Sequence, residues 1–208
     1  MGFDMTYQAV PASSVLLEVA RTDVAVGSIL FMAIRMFGDP KLELREASRR
    51  MPMEPDERTL WELVLELRRV RPDLRTLNLF LARDWDLLHF FLSAHRRDEP
   101  GTEADTLADM AILGEAIIAE HVLSGQDVPL RYTRPETVER IARMLQELPF
   151  ESVWRHCPPV GESPDIYKHS GIEPTEEVRS FVEGLFKKLR AFYVSVAAHG
   201  DGVLVERS

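Results

Sequence analysis

Asp86 and His89 stand three residues apart in the segment Arg83-Asp84-Trp85-Asp86-Leu87-Leu88-His89-Phe90-Phe91-Leu92-Ser93. On a helix that spacing lets both side chains reach one side. A carboxylate beside an imidazole can serve acid–base chemistry or supply half of a metal site. A closed metal site needs about four ligands, so the remaining donors would have to come from Asp109, Glu115 or His121 in the acidic stretch that follows. The competing reading is structural, and the residue types favour it. Trp85, Leu88, His89 and Leu92 fall on one stripe by three-four spacing. Burying the tryptophan and the leucines carries the imidazole inward, where leaving it unpaired would cost roughly 1–3 kcal/mol. His89 is therefore expected to be largely buried near Trp85 and bonded to Asp86, to a carboxylate of the acidic stretch, or to a backbone carbonyl. Phe90 and Phe91 flank it, and aromatic residues at helical spacing read as core.

A second group lies at Arg131 and Tyr132, just before a helix start, which is a natural place for an anion. The structural alternative pairs Arg131 with the acidic stretch. Tyr167 and His169 sit in a later loop and could line the same cleft. Cys157 follows His156 directly, but adjacency in sequence does not place a base at hydrogen-bond distance from a thiol. The chain has no glycine-rich phosphate loop, no Gly-x-Ser-x-Gly elbow and no His-Glu-x-x-His pair. No cofactor and no bound transition metal are expected.

The elements that must hold these residues can be placed along the chain. Asp4 to Val10 alternates, with Met5, Tyr7 and Ala9 on one side, and reads as a strand ended by Pro11. Ser13 or Ser14 caps a short helix. A second helix runs from Thr22-Asp23 to Phe37, and residues 42–50 are helical and exposed. Pro55-Asp56-Glu57 opens a helix whose buried stripe is Leu60, Trp61, Val64, Leu65 and Leu67, broken by Pro72. Asp84 caps the helix from Trp85 to Ala94. Residues 96–105 form a loop around Pro100-Gly101. The apolar run from Met110 to Ile118 ends as a strand. Thr133-Arg134-Pro135-Glu136 has the form of a capping box, with Val138, Ile141, Ala142 and Leu145 on the buried face beyond it. A short helix covers residues 151–156, and residues 157–171 are a loop rich in proline. Pro174 to His199 is the longest helix, with Val178, Phe181, Leu185, Leu189, Phe192 and Val196 inward. Gly200 ends it before a strand from Gly202 to Glu206. Strands at both ends that join one sheet would make residues 1–208 a single domain. The expected class is a mixed, helix-rich α/β fold, with a small sheet containing both terminal strands.

Composition limits function more than it specifies it. A chain of 208 residues with 45% hydrophobic and 28% charged residues can bury a full core without disulfide or metal. The net charge is −9, and residues 98–127 hold eight acids with no Lys or Arg. Such a pattern does not suit a phosphate backbone, so no nucleic-acid partner is expected. The acids read as solvated loop and helix ends. Cys157 is the one cysteine, which suits a reducing compartment such as the cytoplasm. The first residues lack a basic region followed by an apolar one, so no signal peptide is expected. The Met1–Thr6 pattern also fits myristoylation, but the strand that follows speaks against it. The apolar stretch 24–37 carries Arg35 and is too short to cross a bilayer, so no membrane partner is expected.

Three segments, in order, resemble the YfbM-like family, a bacterial group known as a domain of unknown function. Residues 83–93 are similar to its Trp-x-x-(Leu/Ile)-His-aromatic-x-Leu-(Thr/Ser) helix. Arg131-Tyr132-Thr133-Arg134-Pro135-Glu136-Thr137-Val138 is similar to its Arg-Tyr-x-x-Pro-Glu-x-Val helix start. Phe192-Tyr193 through Ala197-Ala198-His199-Gly200-Asp201-Gly202-Val203-Leu204 looks like its closing helix and strand. The chain departs from the pattern at Gly114-Glu115, where the family tends to show a glycine pair, and at Val128-Pro129-Leu130, where a glycine is expected. The resemblance implies a helix-rich α/β domain and no established activity. The expected function is non-catalytic binding of a small molecule or protein near Trp85, Asp86, His89, Arg131, Tyr132 and Tyr167. The alternative is a small-molecule enzyme, a hydrolase among the candidates, using His89 with Asp86.

Overall fold

Alternation at the two ends of the chain builds the centre of a sheet. Met5–Pro11 (β1) pairs antiparallel with Asp201–Arg207 (β5) over its whole length, from Met5 opposite Arg207 to Pro11 opposite Asp201. The computed structural model describes residues 3–22, 55–94, 103–118, 130–155, 157–158 and 172–207, with backbone alone for residues 22, 55–61, 94 and 104–105. Apart from Thr22, which belongs to the helix Val15–Thr22, the expected helices at 22–37 and 42–50, most of the loop 157–171, and Tyr167, His121 and His169 lie outside the described residues.

Between the terminal strands the order is helix Val15–Thr22 (α1), helix Pro55–Val70 (α2), a 3₁₀ turn Pro72–Arg75, and strand Asn78–Ala82 (β2). Helices Trp85–Ala94 (α3) and Glu103–Leu113 (α4) follow, then strands Ala116–Ile117 (β3) and Arg131–Thr133 (β4). Helices Pro135–Glu147 (α5), Phe150–Trp154 (α6) and Glu176–His199 (α7) lead into β5. The strand order is β2-β1-β5-β4-β3, every neighbouring pair antiparallel. The protein is a helix-rich α/β fold.

One sheet face carries Met5, Tyr7, Ala9, Val203 and Val205, all buried. It packs against the long helix and α4. Tyr7 and Tyr193 of α7 are both fully buried, and each spends its hydroxyl on the last turn of α4. Tyr7 donates to Ile112 O and Tyr193 to Ala111 O, both at 2.9 Å. The last carbonyls of a helix have no partner within it; here the core supplies two. Burial raises both phenols above the ordinary tyrosine pKa, with Tyr193 adding to the effect on Tyr7.

Several local expectations need correction. Residues 78–82 form a strand that propensity alone does not single out, because Leu79, Phe80 and Leu81 are all apolar and show no alternation. Helix α4 starts at Glu103, inside the expected loop, and runs to Leu113 before β3 forms. In α7, Val182 and Phe186 take the inward places, whereas Phe181 is 45% exposed. Thr175 caps this helix by accepting from Val178 N–H. Gly200 ends it at φ 67°, the left-handed conformation that suits glycine.

Candidate functional site

Helix α3 buries Trp85, Leu87, Leu88, Phe91 and Leu92. Leu87 and Phe91 pull the buried stripe away from His89, which lies roughly 110° around the helix from the stripe's centre at 100° per residue. The imidazole is therefore at the rim, with its side chain 23% exposed; it is largely buried, as expected, but not enclosed by the core. Its partner is a carboxylate of the acidic stretch. Nε2 lies 2.9 Å from Asp109 Oδ1 across the α3–α4 contact. Ser93, one turn beyond His89, donates to the same oxygen at 3.4 Å. Asp86 remains on α3, partly buried. This rim thus gathers an imidazole, a hydroxyl and an exposed carboxylate, with Asp109 as the hub. A Ser–His relay has a different order, with the imidazole between hydroxyl and carboxylate. Ser93 was legible in principle, since four residues separate it from His89 on one helix face.

Trp85 holds the base of α3. Its Nε1 donates to Phe3 O at 2.9 Å. The Arg207 guanidinium lies 5.3 Å from the Trp85 ring and 4.2 Å from that of Phe3, a cation–π contact that closes the end of the sheet.

Arg131 and Tyr132 are consecutive on β4, so their side chains point to opposite faces of the sheet. Arg131 donates from Nε to Gly114 O and from a terminal nitrogen to Glu115 O, both at 3.1 Å. Gly114 has φ 81°, and a Cβ there would come 2.9 Å from Arg131 Cβ, so the single glycine serves this close approach. Tyr132 lies on the other face with its hydroxyl against Gly202, where an added Cβ would be 2.2 Å from it. Burial pushes its pKa up to about 12.

Glu115, weighed in the sequence as a metal donor, caps a helix instead. Oε2 accepts from Arg134 N–H at 3.0 Å and Oε1 from Arg134 Nε at 2.9 Å. Burial pushes this carboxyl up, but the bonds from Arg134 and Thr137 outweigh that and hold it below the usual range. The expected capping box is replaced by this long-range arrangement. Arg134 is the N-cap and makes no side-chain cap bond, while Thr133 Oγ1 accepts from Glu115 N–H at 3.3 Å. Cys157 has its thiol pKa raised by burial, which disfavours the nucleophilic thiolate. Among the described residues no group of three or more His, Cys, Asp or Glu could hold a metal ion, and no helix is long and apolar enough to cross a membrane.

A groove of about 390 Å³ opens elsewhere, between the end of β1, α1 and α2. Val15, Leu63, Leu67 and Val70 line it, with Ser14 and Arg71 as its polar edge. Of the site residues proposed from sequence, none of the described ones, Trp85, Asp86, His89, Arg131 and Tyr132, lines it.

Fold and site together define a helix-rich α/β protein with a central antiparallel sheet and a polar rim at α3–α4. The chain belongs to the family described as a domain of unknown function (DUF1877), whose model matches residues 45–206. Its fold is similar to a crystal structure of a protein of unknown function, YfbM from Escherichia coli. The likeness covers 99% of each chain with a TM-score of 0.53 at 14% identity. No curated protein matches the chain in sequence.

Proposed function

We propose that this protein acts by binding, as a single domain in a bacterial cytoplasm, and that a protein or small molecule docks at the α3–α4 rim. His89, Asp109 and Ser93 form the contact surface, with Asp86 beside them and Trp85 fixing the helix beneath. Arg131 and Tyr132 enter as framework behind it. The observation that supports this reading is the contrast in exposure. The His89–Asp109 pair is open on its Asp109 side, which is 57% exposed, while Arg131 and Glu115 are engaged in backbone and capping bonds. Side chains at an open rim can exchange water for a ligand without breaking the core. The lone Cys157 agrees with a reducing compartment.

The test is a thermal-shift screen of small molecules and divalent metals on the wild type and His89→Gln. A ligand of this site raises the wild-type melting temperature by mass action and leaves the variant unmoved. Equal stabilisation of both by every hit would overturn the site. The 2.9 Å His89–Asp109 contact also favours a second reading, a hydrolase in which His89 is acid or base and Asp109 takes the orienting role first given to Asp86. Turnover of simple ester or amide substrates, lost in His89→Gln, would select it over binding alone.

A further inference from the structure

Strand alternation places Arg131 and Arg207 on one face of the sheet. Arg131 of β4 stands opposite Val205 of β5, and Arg207 lies two residues further along β5. Both side chains therefore leave the face that carries Met5 and Val205. Gly114 packs on that face, since a Cβ there would meet Arg131 Cβ at 2.9 Å and Val205 Cγ2 at 3.2 Å. Diagonal neighbours on adjacent strands are roughly 7–8 Å apart, within reach of long side chains.

Neither arginine is neutralised. Among the described residues Arg131 and Arg207 form no ion pair, whereas Arg71 and Arg134 are each bound to a carboxylate. Arg131 gives Nε and one terminal nitrogen to the carbonyls of Gly114 and Glu115, which leaves its other terminal nitrogen for a further acceptor. The Arg207 guanidinium stacks 4.2 Å from the centre of the Phe3 ring and 5.3 Å from that of Trp85. Its Nε is buried and makes no hydrogen bond. Stacking occupies the face of a guanidinium, while the N–H groups stay in its plane and point past the rings. Like charges on neighbouring strands repel, and a partly buried cation without a counter-charge keeps its desolvation cost. An anion between the two removes both penalties.

We propose that Arg131 and Arg207 hold the phosphoryl group of a small molecule at this corner of the sheet, with Phe3 and Trp85 as its apolar wall. The oxygens of a phosphoryl group are arranged tetrahedrally, so they accept from two guanidiniums arriving from different strands. A planar carboxylate is filled by one guanidinium fork. The net charge of −9 repels a nucleic-acid polyanion, which limits the ligand to a small phosphorylated molecule. The site shares only Trp85 with the α3–α4 rim. It uses neither His89 nor Asp109 and stands independently of the function proposed there.

The test titrates inorganic phosphate and pyrophosphate into the full chain at low ionic strength, with sodium chloride at matched ionic strength as the blank. Binding is followed by NMR of the arginine Nε–H groups. The Arg131 and Arg207 signals are expected to shift together along one saturating curve. Arg207→Met keeps the stem against the rings and removes the charge. It is expected to weaken phosphate binding by about tenfold or more, the loss of a charged hydrogen bond. Arg207→Lys, which lacks the fork, is expected to weaken it too and serves should the first variant lose its circular dichroism spectrum. Arg83→Met, whose side chain pairs with Asp4 at 3.6 Å, should leave the affinity unchanged. No saturable shift with either phosphate would overturn the proposal, as would unchanged affinity in both Arg207 variants. Acetate bound as tightly as phosphate would overturn the assignment to a phosphoryl group.

Discussion

The two ends of α4's exposed-to-buried gradient use the same kinds of residue to opposite effect. At its C-terminal corner, residues 111–115 meet Tyr7, Tyr193, Arg131 and Arg134, and their polar groups are bonded within the protein. One turn earlier on the outer face, Asp109 meets His89 and Ser93 with more than half its side chain in water. A carboxylate and a base meet in both places. In the first, Glu115 and Arg134 fix a helix start; in the second, Asp109 and His89 remain at a surface. The difference teaches that residue type alone does not mark a functional site. What separates them is whether bonding capacity is consumed by groups that would otherwise be orphaned in the interior.

The sharpest test of the buried side is Gly202→Ala. Its Cβ would enter the space of the Tyr132 hydroxyl, and overpacking of this severity should cost about 3 kcal/mol in urea denaturation. Adding Tyr132→Leu should recover part of that loss, since the clash is with the ring; equal destabilisation in the double variant would refute the packing account. Next in size is Tyr193→Phe. It removes the bond to Ala111 O in the core and should cost roughly 1–3 kcal/mol. The same substitution at an exposed tyrosine would be near neutral.

Glu115→Gln should cost about 1–2 kcal/mol, the size of a lost cap with charge assistance, and its effect should depend on pH. The folded state holds this carboxyl below its usual range. Its stabilisation is therefore present above the unfolded pKa of about 4.3 and is lost as pH falls through the lower folded value. Wild type and variant should accordingly converge in acid, and a constant gap between their melting curves at every pH would rule out the charge. The smallest stability effect belongs to His89→Gln, below about 1 kcal/mol for a rim pair in solvent. A larger loss would place His89 with the structural group and erase the comparison.

The fold was more legible than the site. Alternation in Met5–Ala9 and the glycines around Asp201 marked both central strands, and proline with acids marked the starts of α2 and α5. β2 was hidden because Leu79 and Leu81 face the core while Phe80 stays exposed at an edge, so its sequence carries no polar–apolar alternation. At the site, helix spacing placed Trp85, Asp86 and His89 on α3. It did not reveal that Leu87 and Phe91 turn the buried stripe from His89, nor that Asp109 rather than Asp86 is its partner.

The sequence by itself determined most of the described helices, the end of the last one at Gly200, the pairing potential of the two ends, and the family, because these depend on local dihedral preferences and on short periodic patterns. Only the tertiary structure decided the role of each polar residue. Arg131 and Tyr132 are neighbours in sequence, yet the pleat sends one to the carbonyls of Gly114 and Glu115 and the other against Gly202. Glu115 became a cap because the end of α4 brings it to Arg134, 19 residues away. Contacts of that range depend on how whole elements pack, and no local pattern encodes them.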